Sequence, residues 1–139
     1  MLVIEFMEQN SEISCGVVVI YRHRFLIGKH LSGNHYDFIK GHLEAGETFE
    51  ACAKREVFEE LGLSVDLEEG FYEKTEYEIM GRGHKIVHWF LAFSDGDLKI
   101  DFNELKKVKI LNFEDAYKRL TYDSAKNLLV KVKEYLDGR

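Results

Sequence analysis

Proline is absent from all 139 residues, and with it any proline-rich linker that would part the chain into separate units. Cysteine is nearly absent too. Two thiols, Cys15 and Cys52, do not make a disulfide framework, and Cys52 falls inside a stretch that reads as helix, so both are expected to be reduced. No apolar run approaches the length that crosses a bilayer, and the opening Met1-Leu-Val-Ile-Glu-Phe-Met is too short and too acidic for a secretion signal. A cytoplasmic location is the expectation. Positive charge is in deficit: 19 Lys and Arg stand against 25 Asp and Glu, a net charge of −6. That balance argues against non-specific adhesion to nucleic acid or to an anionic membrane, and no stable nucleic-acid partner is expected. It leaves room for a small phosphorylated substrate held by local cations. Low-complexity tracts and internal repeats are also missing. The length and the 45% hydrophobic content suit one domain, residues 1–139, with a real core.

What is present is concentrated between residues 41 and 63. Thr48 to Leu61 reads as a helix: Thr48 suits the N-cap, Glu50 lies in the first turn where a carboxylate favours the dipole, and Gly62 suits the residue that stops the last turn. At helical spacing Phe49, Ala53, Val57 and Leu61 form one apolar stripe that must face a core. Glu56, Glu59 and Glu60 stand at i, i+3 and i+4 and share the adjoining face. Like charges at that spacing cost roughly a few tenths of a kcal/mol per pair. Most glutamate runs on helices are solvated faces, but here only Arg55 accompanies the three carboxylates. Gly41 and Gly46 let the preceding loop bring a carbonyl and Glu47 close to the helix. Several carboxylates plus a carbonyl suit a hard divalent cation such as Mg²⁺.

Elsewhere the pattern predicts strands at Ser14–Tyr21, Phe25–His30, Tyr36–Lys40, Ser64–Leu67, Phe71–Ile79, Lys85–Phe93 and Val108–Leu111, with residues 2–7 as an edge strand. Turns are expected at Arg22–Arg24 and Met80–His84, the second carrying two phosphate-facing bases, Arg82 and His84. Helices are expected at Phe113–Leu120 and Ser124–Leu136, the latter with Leu128, Leu129, Val132 and Leu136 on one side. His84 and His88 have no Cys or third His at zinc spacing and are read as strand residues. Strands with a central and a C-terminal helix make an α/β fold, a mixed-sheet α/β/α sandwich.

Gly41, five residues, Glu47, seven residues, Arg55-Glu56-Val57, one residue, Glu59-Glu60, one residue, Gly62-Leu63 resembles the Nudix box at every fixed position. Many positions at set spacing make this a specific signal. The resemblance implies the layered Nudix sandwich and hydrolysis of a phosphoanhydride with Mg²⁺ or Mn²⁺. It implies Glu56, Glu59 and Glu60 as metal ligands, with the carbonyl of Lys40 or Gly41 as a further one, and Arg55 paired with Glu47 to orient them. A guanidinium suits that bidentate role. For the general base the resemblance leaves Glu56 or Glu104, the latter as base or metal ligand against an ordinary reading as a solvated loop carboxylate, and Glu59 is counted with the catalytic set.

Outside the box, His35-Tyr36-Asp-Phe38-Ile-Lys40-Gly41-His42-Leu-Glu44 resembles the segment entering the box in diadenosine tetraphosphate hydrolases, with Ile39 where that pattern has proline. Tyr77, Arg82 and Lys85, then Tyr122, resemble the same branch's stacking and phosphate-contacting positions. Each has an ordinary reading: Tyr77 and Tyr122 as half-buried aromatics, Arg82 and Lys85 as solvated charges, His42 as a satisfied loop histidine. Taken together they imply an aromatic pair gripping a base, with Lys40, Arg82 and Lys85 along a polyphosphate. Asymmetric cleavage of a dinucleoside tetraphosphate to ATP and AMP is the first expectation. A broader pyrophosphatase on nucleoside triphosphates, nucleotide sugars or 5′-triphosphate RNA is the second, and a non-catalytic nucleotide sensor the third.

Overall fold

The last eight residues of strand β1 (Glu12–Tyr21) are buried, with a core on each of its two faces. The computed structural model describes residues 11–81 and 83–139, so the edge strand expected for residues 2–7, and Arg82, lie outside it. β1 turns back into β2 (Arg24–His30) through Arg22 and His23, which both adopt positive φ, 49° and 71°. Arg24, expected in the turn, already pairs with Tyr21. Then follow β3 (Tyr36–Asp37) and β4 (Ile39–His42), the latter antiparallel to β1. The expected single extended piece is broken at Phe38 because β3 pairs with β2 and β4 with β1.

After helix α1 (Phe49–Leu61) come β5 (Glu73–Ile79) and β6 (Gly83–Ser94), an antiparallel pair in which β6 lies parallel to β1 over its full length. β7 (Leu105–Leu111) adds antiparallel to β2, and helices α2 (Phe113–Arg119) and α3 (Asp123–Asp137) close the chain. The sheet runs β3-β2-β1-β6-β5, with β4 beside β1 and β7 beside β2. It is the expected mixed sheet between helical layers.

Strand alternation sorts β1 into two cores. Cys15, Val17, Val19 and Tyr21 pack with Cys52, Ala53, Val57 and Leu61 of α1, whereas Val18 and Ile20 pack with Trp89, Leu91 and with Leu128, Leu129 and Val132 of α3. Both thiols are free and buried. The predicted apolar stripe is the buried edge of α1, with Phe49 partly covered. Burying each such aliphatic side chain is worth about 1.5–3 kcal/mol. Those contacts set the rotation of α1 and thereby the direction in which its glutamates point. Thr48 Oγ1 accepts from the Ala51 N–H at 3.1 Å, and Gly62 stops the helix at φ 72°.

Three expectations are corrected. Ser64–Leu67 is not a strand: Val65 is buried, but only Leu67 bridges to the sheet, at Ala92. The last strand begins at Leu105, three residues earlier than expected. Lys106 and Lys107 obscure the apolar pattern there, while the edge of β2 supplies backbone partners and Leu105 is fully buried. Gly83 and His84 belong to β6 and not to the turn before it. Among the described residues no helix is long and apolar enough to cross a membrane.

Candidate active site

Because Gly41 lies on β4 and Glu56 on the facing side of α1, the two backbones meet where a side chain would not fit. A Cβ at Gly41 would lie 2.0 Å from the Glu56 carboxyl carbon. Glycine is therefore required by close approach rather than by a turn. Around this contact opens a cleft of about 600 Å³, formed by β4, α1, the end of β2 and the Asp101–Glu104 turn.

Arg55 organises one wall. Its Nε donates to Glu47 Oε2 at 2.6 Å and Nη2 to Glu47 Oε1 at 3.0 Å, a fork that closes the loop onto the helix. Nη1 donates to Glu56 Oε1 at 2.9 Å and to Glu59 Oε2 at 3.1 Å, and Nη2 also reaches the His42 carbonyl at 3.0 Å. The hydrogen bonds from Arg55, together with the Glu44 N–H, hold the Glu47 carboxyl down to about 2, and Arg55 is raised above its ordinary value in return.

The opposite wall is under electrostatic tension. Glu60 is 3% exposed, and its Oε2 has no hydrogen-bond partner among the described residues. Burial, then Glu56, then Glu104 and Glu59, push its carboxyl up to about 9. Burial raises Glu56 too, against the pull of Arg55. The nearest imidazole, His30 Nδ1 at 4.0 Å, gives no compensating charge, since burial lowers its pKa. The Asp101 N–H donates to the Glu60 carbonyl at 2.9 Å and the Leu31 N–H to the Glu104 carbonyl at 3.2 Å, so this turn is tied to both α1 and β2.

A buried carboxylate oxygen without a donor, beside two more carboxylates and the backbone carbonyls at Lys40 and Gly41, is an arrangement a hard cation would satisfy. Among the described residues no three carboxylate, imidazole or thiolate groups form a ready-made cage. Mg²⁺, which keeps several waters and takes one or two carboxylates, fits such a half-built set, and Mn²⁺ takes the same oxygens.

A second cleft, also about 600 Å³, lies between β5, β6 and the start of α3. It is lined by His35, Asp37, Tyr77, Lys85, Trp89 and Tyr122, among others. Lys40 and His42 line both clefts. Lys40 Nζ lies 3.1 Å from Asp37 Oδ2; burial works against its charge, but Asp37 and Tyr77 more than offset this and raise its pKa. Tyr77 and Tyr122 stay 39% and 48% exposed, with surface to offer a planar group. His35 sits 5.4 Å from the Tyr122 ring and 5.9 Å from that of His30.

The structure thus brings together Lys40, Gly41, His42, Arg55, Glu56, Glu59, Glu60 and Glu104 in one cleft, and His35, Tyr77, Lys85 and Tyr122 in the other. Tyr36 is a correction. Alternation turns it away from its neighbours His35 and Asp37, and it is buried in the α3-side core with Lys29 and Arg119 over its ring. His84 is another: its ring is held by Glu78 at 2.9 Å and Glu76 at 3.3 Å, and it lines neither cleft. His88 is buried in β6, with Nδ1 2.6 Å from the Tyr72 hydroxyl. Sequence reasoning missed His30, Asp37, Glu44 and Asp101. Asp37 and Glu44 lie in the segment that resembles the entry to the box, Glu44 within three residues of Glu47; His30 and Asp101 arrive through tertiary contacts.

The NUDIX domain family matches residues 3–131, nearly the whole chain, and the chain belongs to that family. It is a pyrophosphohydrolase by class. Its fold is similar to that of a C. elegans Ap4A hydrolase in a binary complex, with 26% identity and TM-score 0.84 over 92% of this chain and 99% of that one. A second C. elegans Ap4A hydrolase structure gives 26% identity and TM-score 0.78, covering 91% and 98%. The E. coli dihydroneopterin triphosphate pyrophosphohydrolase shares the fold at 21% identity and TM-score 0.74, covering 87% and 95%.

Proposed function

We propose that this Nudix enzyme, acting as one domain in the cytoplasm, cleaves a dinucleoside tetraphosphate asymmetrically to ATP and AMP. The observation that carries the reading is the meeting of the two clefts at Lys40 and His42. One offers exposed aromatic rings beside cations, and the other offers clustered carboxylates. A base stacked on Tyr77 and Tyr122, with His35 beside it, leads its phosphates past Lys40, Lys85 and His42 toward the carboxylates; Arg82 is proposed for the same phosphate path. The likeness to the C. elegans Ap4A hydrolase over nearly the full length of both chains supports this choice.

Glu56, Glu59 and Glu60, with the carbonyl of Lys40 or Gly41, would hold Mg²⁺ or Mn²⁺. Such an ion neutralises phosphate charge and makes water a better nucleophile. Arg55 fixes Glu56 and Glu59 by hydrogen bonds and is itself fixed by Glu47, so the carboxylates are oriented before substrate arrives. Gly41 admits the Glu56 carboxyl against the backbone. Two carboxylates lining the cleft are the candidates to take the proton of the attacking water: Glu56, which is partly buried and bonded to Arg55, and Glu104, which is exposed on its turn. Unchanged turnover in Glu104→Gln assigns the base to Glu56.

The test is chromatographic identification of products after incubation with Mg²⁺ and a panel of dinucleoside polyphosphates, nucleoside triphosphates and nucleotide sugars. ATP plus AMP from diadenosine tetraphosphate is the expected result. Pyrophosphate release from nucleoside triphosphates, with the dinucleotide left intact, overturns the substrate assignment and leaves the class.

A further inference from the structure

A dinucleoside polyphosphate has two bases, and the aromatic cleft accounts for one. Resting on the substrate reading above, the second half of the molecule must leave across a rim of the carboxylate cleft that the aromatic cleft does not share. Among the described residues, two segments lining the carboxylate cleft are of this kind. The loop carrying Glu44 to Glu47 presents carboxylates, an alanine and a glycine, with nothing for a base to stack on. The Asp101–Glu104 turn instead presents Phe102, 68% exposed, with Leu31, 42% exposed, joined to the same turn through its N–H bond to Glu104. Asp101 and Glu104 on either side of Phe102 both line the carboxylate cleft and not the aromatic one.

This ring is held out by a rigid support. The Asp101 N–H is bonded to the Glu60 carbonyl, the Glu104 and Leu105 N–H groups to the Asp101 carbonyl at 3.0 Å, and the Asn103 N–H to Asp101 Oδ1 at 2.9 Å. Leu105 then anchors the turn in the core with no exposed surface. A large apolar ring kept in water on a fixed turn gains nothing from the fold. The ring itself lines neither cleft, and an exposed ring carried on the rim offers a face on which any base can stack.

We propose that Phe102 is the platform for the distal nucleoside, so that this enzyme's preference for two-ended over one-ended polyphosphates resides in the Asp101–Glu104 turn. The experiment compares kcat/KM for diadenosine tetraphosphate and for adenosine tetraphosphate, which has the same phosphate chain and a single base, in wild type, Phe102→Ala, Phe102→Leu and Phe102→Trp. Expected is a loss of about 10-fold for the two-ended substrate in the Ala and Leu variants, the scale of one stacked base, with the one-ended substrate unchanged and Trp near wild type. Thermal unfolding reports that the variants are folded. Wild-type cleavage of the dinucleotide with no loss in Phe102→Ala, or equal losses on both substrates, overturns the platform alone. A wild type that leaves the dinucleotide intact overturns the substrate reading and the platform with it.

Discussion

The two clefts that meet at Lys40 are built on opposite terms. The carboxylate cleft draws its acidic face from one short stretch, in which Glu56, Glu59 and Glu60 are placed by helical spacing and rotated into position by the burial of Ala53, Val57 and Leu61. It is held in tension, with a buried carboxylate pushed up to about 9. The aromatic cleft collects His35, Lys40, Tyr77, Lys85 and Tyr122 from four distant segments. Its Asp37–Lys40 pair is satisfied at 3.1 Å. On the proposed function, the chemistry falls where the fold is electrostatically unfinished, and recognition where it is settled. Perturbed carboxylates of this kind mark functional sites more often than structural ones.

Substitution of Glu60 separates the two most sharply. Glu60→Gln is expected to lower turnover about a thousandfold, the scale of removing a main electrostatic stabiliser, while leaving nucleotide binding in place. The same variant is expected to be more stable than wild type in metal-free buffer above neutral pH. A carboxyl whose folded pKa is raised to about 9 contributes its stability at low pH and loses it as pH rises from the ordinary carboxyl range through about 9. Metal-free wild type should therefore melt at falling temperature across that window. Glu60→Gln should show a shallower fall, the remainder set by Glu56, whose carboxyl burial also raises, and added Mg²⁺ should flatten the wild-type profile by binding the ionised form. Melting curves at several pH values, with and without Mg²⁺, decide it; a wild-type profile that rises with pH would refute the tension argument.

Gly41→Ala tests how closely the carboxylate cleft is built. Its methyl group would enter the space of the Glu56 carboxyl. Turnover should fall by about 10–100-fold, as when a metal-orienting contact is lost, with the KM for nucleotide little changed. A variant as active as wild type would show that the Glu56 position is not needed for the chemistry.

Tyr122→Ala breaks the other side with the smallest effect. KM should rise about 10-fold, one stacked base's worth, with kcat held within a factor of two or so. Steady-state kinetics on the cleaved nucleotide reads both, and a fall in kcat alone would move Tyr122 out of the recognition cleft.

How far the sequence could be read follows the same division. The N-cap at Thr48 and the stop at Gly62 were legible because their partners are close in the chain, and the Glu47–Arg55 fork was implied by the resemblance of the box. The strands β1 and the core of β6 were legible from their own apolar, β-branched composition, although they pair with each other from distant parts of the chain. β7 was read short because Lys106 and Lys107 conceal an edge strand whose partners lie in β2. Tyr36 was misplaced because single-residue alternation decides which side of a strand a ring takes, and the pairing Lys29↔Tyr36 turns it inward. His84 was misplaced because Glu76 and Glu78, on the neighbouring strand, reach it first.

By itself the chain determined the helix of glutamates, the glycine before it and the arginine within it, since these depend on separations of a few residues and on the 3.6-residue turn. Only the tertiary structure decided that one carboxylate oxygen of Glu60 is buried without a hydrogen-bond partner among the described residues, that Gly41 yields its side-chain space to Glu56, and that Lys40 stands between two clefts. Those facts depend on which faces pack together, and packing is settled by contacts between segments whose sequence separation carries no trace of their nearness in space.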